Sequence, residues 1–156
     1  MSLEKALDIA LKLKHALATE VTRSQESRAV LKSLDSATLL NQASLREAFN
    51  QHSAWLSAEL GRALATFARG HGLDEVTLEQ VRRLSPFEGE QLSAVFAEIR
   101  ALSRALSELD QVNQQLAENA LKVVRAYVTH LAPRPAAYNR RGQAATSESG
   151  THSERA

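Results

Sequence analysis

Leucine and alanine recur at steps of three and four along the first part of the chain. Leu3, Ala6, Ala10, Leu13 and Leu17 make one row, which falters at Glu20, Ser24 and Ser27 and resumes at Leu31 and Leu34. Steps of three and four lay one apolar face along a 3.6-residue period, so the row predicts a helix over about 3–33. The polar stretch from Glu20 to Ser27 is read as solvated, the other reading being a specificity layer inside a bundle. Asp35 or Ser36 can cap a second helix, because either side chain accepts from an early unpaired backbone N–H. A second row follows, with Leu39, Leu45, Phe49, Trp55 or Leu56, Leu60, Leu64 and Phe67, and predicts a helix over 36–69. One unbroken helix over 3–69 is the alternative; the break is placed at Asp35.

Arg69-Gly70-His71-Gly72 puts two glycines at a helix end. Thr77 with Gln80 three residues later has the form of a capping box for a short helix over 78–84. Ser85-Pro86-Phe87-Glu88 is a helix start, with Ser at the cap, Pro at the first position and Glu at the third. From there one row runs through Leu92, Val95, Ile99, Leu102, Leu106, Leu109, Asn113, Leu116, Ala120, Val123 and Tyr127, polar only at Asn113. A helix over 86–131 would be about 69 Å long at 1.5 Å per residue, and needs packing partners along its length. Gly89 near its start reads as a small cost that a fraying first turn tolerates. Pro133 and Pro135 stop the helix. The last 24 residues hold four Arg and two Glu, and Tyr138 is their only large apolar residue. Such a segment cannot bury enough surface to offset its ordering entropy, so residues 133–156 are read as a disordered tail after a helical body over 1–132.

Composition agrees with the periodicity. The chain has 156 residues, of which 23 are Leu and 26 Ala, while Val and Ile together supply 11 and aromatics 4%. Strands draw on β-branched and aromatic residues, so the fold class is all-α, an elongated antiparallel helical bundle or coiled-coil hairpin with a long C-terminal helix. The net charge of +1, with both signs spread along the body, gives no basic stripe for nucleic acid. No apolar stretch approaches the ~20 residues of a membrane span, and the acidic N-terminus does not resemble a secretory signal. A cytoplasmic protein without membrane insertion is expected.

The residues that carry chemistry are scattered. Histidines stand at 15, 52, 71, 130 and 152, none of them in a His-Glu-x-x-His or Glu-x-x-His motif. No cysteine and no glycine-rich phosphate loop is present. The expectation is a non-enzyme with no cofactor, no metal and no catalytic residue. A binding role has one feature behind it. Ala117, Leu121, Val124, Val128 and Leu131 form a second apolar row, offset by one residue, about 100° around the last helix from the first. This broad arc either packs into a three-helix core, the plainer reading, or stays open for a partner's amphipathic helix. Leu121, Val124, Val128 and Leu131 are the candidate binding residues.

The run from Leu102 to Leu116, with Asn113 and with Asp110 three residues before it, is followed by Val123-Val124 and Tyr138-Asn139-Arg140-Arg141-Gly142. Together these resemble the C-terminal signature of the FlgN family of flagellar type III export chaperones. That pattern has two Asn three apart, an apolar pair, an amphipathic stretch and a tail Tyr-x-x-x-Gly; Asp110 takes the earlier Asn position here. Leu34-Asp35 at a helix junction and Arg62 before the glycine loop extend the likeness over about residues 3–142. The resemblance implies a chaperone that holds the C-terminal helices of hook-associated junction proteins, prevents premature assembly and delivers them to the flagellar export gate. It also implies that Tyr138, with Arg140 and Arg141, docks on that gate. The chaperone would be a monomer or weak homodimer. The alternative is a self-associating coiled-coil adaptor with no secretion client.

Overall fold

The computed structural model describes residues 3–33 and 35–131. They form four helices, α1 (Glu4–Ser33), α2 (Ser36–Gly70), α3 (Leu78–Leu84) and α4 (Pro86–Leu131), with no strand among the described residues. The fold is an all-α helical hairpin bundle. Described residues through Ala120 make one compact unit, and Leu121 onward belong to a second.

Each helix boundary has a local cause. Asp35 is the N-cap of α2, accepting from the Thr38 amide and, at 2.5 Å, from the Thr38 hydroxyl. The hydroxyl bond first and the amide bond second hold the Asp35 carboxyl below its ordinary value. At the far end of α2, Gly72 takes φ 72°, in the left-handed region. Its turn lets the Leu73 amide donate back to the Ala68 carbonyl at 2.9 Å, closing the helix end. Thr77 and Gln80 complete the capping box of α3 in both directions, at 3.2 and 2.8 Å. Pro86 opens α4, where its missing N–H costs nothing.

In the first unit α1 and α2 run antiparallel, since Glu20 meets Arg46 while Lys5 and Ala6 share a cleft with Thr66 and Phe67. α4 ascends beside α1 in the same direction: Lys14 pairs with Glu98 at 3.0 Å, and Ser24 meets Asn113. The core gathers where the start of α1, the end of α2, α3 and the start of α4 converge. Leu3, Leu56, Val81 and Leu92 are its most buried large side chains. Each contributes about 1.5–3 kcal/mol through apolar burial. Leu56 is the residue of the second row that faces inward; its neighbour Trp55 is exposed and stacks on His52.

Two sequence expectations fail here. Gly89 is not a tolerated cost but a requirement of packing. A Cβ built on it would lie 2.7 Å from the Arg82 Cα and 2.8 Å from the Arg82 N, so the α3 backbone rests directly on α4 at this residue. The stretch Glu20–Ser27 is not uniformly solvated either: Glu20 and Ser24 are only 3% and 4% exposed. The α1 row therefore keeps its inward phase through Glu20 and Ser24, and polar side chains occupy positions that leucine holds elsewhere.

Candidate partner-binding site

The buried carboxylate of Glu20 needs cations, and two helices supply them. Arg23, one turn along α1, donates to Oε2 at 2.6 Å, and Arg46 of α2 donates to Oε1 at 3.3 Å. Arg46 also forms a two-pronged bridge to Asp110 of α4, at 2.6 and 3.1 Å, with its guanidinium 5.4 Å from the Phe49 ring centroid. One turn further, Asn113 Nδ2 donates to the Ser24 carbonyl at 3.0 Å. Its Oδ1 is buried with no hydrogen-bond partner. Breaking a buried ion pair is costly, so Glu20 and Arg46 fix α1 against α2, while the half-exposed Asp110 bridge and the Asn113 bond join α4 to the same layer. The side chains of this layer, with Leu31, Leu39 and Ala43, line a groove of ≈ 360 Å³.

Asp110 and Asn113, the two residues set apart by the family resemblance, thus both work inside the bundle. Asp35 is a cap, and Arg62 is exposed and pairs with Glu59 one turn away. His15, His52, His71 and His130 are all exposed, and the His71 ring bonds its own helix at the Phe67 carbonyl.

The candidate binding residues lie in the second unit, on the last turns of α4. Leu121, Val124, Val128 and Leu131 are all exposed, and so are Val123 and Tyr127 of the first row; the six range from 44% to 77%. None of the six belongs to the buried core cluster. By helical geometry the six side chains span about 160° of the helix circumference. Lys122, Arg125, Ala126, Thr129 and His130 occupy the remainder. Among the described residues neither Lys122 nor Arg125 forms an ion pair. Tyr138, Arg140 and Arg141 lie outside the described residues.

This arrangement defines a class before any partner is considered: a helical bundle whose longest helix ends in an exposed two-row apolar face. Compared with protein-family models, curated proteins and solved structures, the chain matches none of them. Among the described residues no helix is long and apolar enough to cross a membrane.

Proposed function

We propose that this chain is a cytoplasmic, non-enzymatic chaperone of flagellar type III export. In this reading it covers the C-terminal helical segment of hook-associated junction proteins until they reach the export gate. The observation that carries the proposal is the exposed apolar face from Leu121 to Leu131. A solvent-facing stripe of leucine, valine and tyrosine on a helix suits another amphipathic helix, which it meets by apolar burial. A junction-protein helix destined for a coiled coil carries such a stripe before assembly, and a chaperone that covers it needs no nucleotide or metal.

The test is binding of the full chain to the C-terminal fragment of a junction protein, with and without the pair Val124→Ala and Val128→Ala. Both valines are exposed, so the pair leaves the melting curve unchanged while affinity falls at least tenfold, about 1.4 kcal/mol. Unchanged affinity removes these residues from the client site. Delivery is tested separately with Tyr138→Ala, which in this reading reduces client secretion while leaving client affinity intact. A constitutive dimer that ignores the fragment would favour the coiled-coil adaptor.

A further inference from the structure

Charge along the chain is unevenly placed. Residues 1–120 hold 13 Lys and Arg against 16 Asp and Glu, whereas residues 121–156 hold six against two. The exposed arc of α4 lies on the cationic side of this division. Within 121–131 there is no Asp or Glu at all. Helical geometry puts Arg125 about 40° from Leu121 at one edge of the arc, and His130 about 20° from Val123 at the other. Lys122 falls on the opposite side of the helix, about 180° from the middle of the arc.

We infer that the occupant of this face is an amphipathic helix of another protein whose apolar stripe is flanked by Asp or Glu. The inference rests on the chaperone reading for the use of the face and adds the chemistry of the partner. Charge argues against the two occupants closest at hand. A second copy laid antiparallel would bring Arg125 towards its own counterpart, one laid parallel would bring it towards the His130 edge, which holds no acid, and the chain's remaining residues, 132–156, are themselves cationic. The apolar spacing argues for a helix over a lipid surface. Two adjacent rows at steps of three and four offer knobs and holes, which a bilayer has no register to read.

The experiment uses the full chain and three synthetic helical peptides with one identical leucine stripe, flanked by Glu, Gln or Lys. The Glu-flanked peptide binds about five- to tenfold tighter than the Lys-flanked one, and the difference shrinks as salt is raised. Arg125→Glu reverses the preference, while Lys122→Glu, on the far side, changes it less than twofold. Equal affinity for all three peptides overturns the inference, as does an equal effect of the two substitutions. It is also overturned if anionic vesicles bind the chain where the peptides do not, or if light scattering shows a stable dimer formed through this face. The chaperone reading fails on different evidence. If the Glu-flanked peptide binds and a junction-protein fragment does not, the acidic-helix inference stands and the export role falls.

Discussion

Replacing Arg46 by Leu tests whether the buried polar layer holds the bundle together. The substitution removes the donor that Glu20 Oε1 meets at 3.3 Å and the two-pronged bridge to Asp110. A hydrogen bond to a buried charged group is worth about 1.5–3 kcal/mol. The Asp110 side chain is 45% exposed, so its bridge adds only about 0.5–1 kcal/mol. Contact with the Phe49 ring adds about 0.5 kcal/mol. Against these stand Arg23, which keeps Glu20 paired, and the apolar surface that leucine itself buries. The net expected loss is about 2–3 kcal/mol, a fall in melting temperature of roughly 5–10 °C. Urea denaturation at constant m-value gives the number, and a double-mutant cycle with Glu20→Gln should return a coupling of at least about 1 kcal/mol. A loss under about 0.5 kcal/mol, or no coupling, would show that Arg23 alone satisfies Glu20 and that the register argument is wrong.

Gly89→Ala should destabilise by more than about 2 kcal/mol, because the added methyl meets backbone rather than a yielding side chain; a melting curve at or above wild type would contradict that close approach. Asn113→Leu should raise the melting temperature, by an equivalent of about 1 kcal/mol, since it removes a buried acceptor with no partner while the Ser24 carbonyl keeps its place in the α1 ladder. A lower melting temperature would mean that the bond to Ser24 matters more than the orphaned oxygen. The Asp35 cap has a pH signature: its folded pKa is depressed, so its stabilisation is present above the ordinary aspartate value of about 3.9 and disappears as pH falls through the folded value. The melting difference between wild type and Asp35→Ala should therefore stay constant above the ordinary aspartate value of about 3.9 and narrow as pH falls below it, and a gap unchanged in acid would remove the carboxylate from the cap.

Local signals read well because they act over a few residues. The cap at Asp35, the box at Thr77 and Gln80, and proline at the head of α4 are each decided within a single turn, and the structure has each of them. What escaped depends on residues far apart. Glu20 is buried because Arg46 and Asp110 arrive from 26 and 90 positions away, and a polar residue taken alone is most simply placed in water. A signal was available, since Glu20 and Ser24 keep the three–four step of Leu13 and Leu17. Gly89 hid a tertiary contact behind an ordinary propensity cost. The end of α4 carries the same spacing as its packed beginning, so periodicity alone could not distinguish a buried row from an open one.

The polar layer also bears on the order in which the chain is made. During synthesis α1 and α2 emerge together, and Asp110 follows forty residues after the end of α2. A hairpin of α1 and α2 alone would have the Glu20–Arg46 pair on its inner face and would lack the Asp110 bridge. A wholly leucine-lined hairpin would offer a continuous sticky strip to any other nascent helix on the same polysome. This one is interrupted midway by charge, so a leucine-striped helix lying along its whole length would have to cover a carboxylate and a guanidinium. α4, made last, is the helix of this chain that brings an acid, Asp110, to that gap.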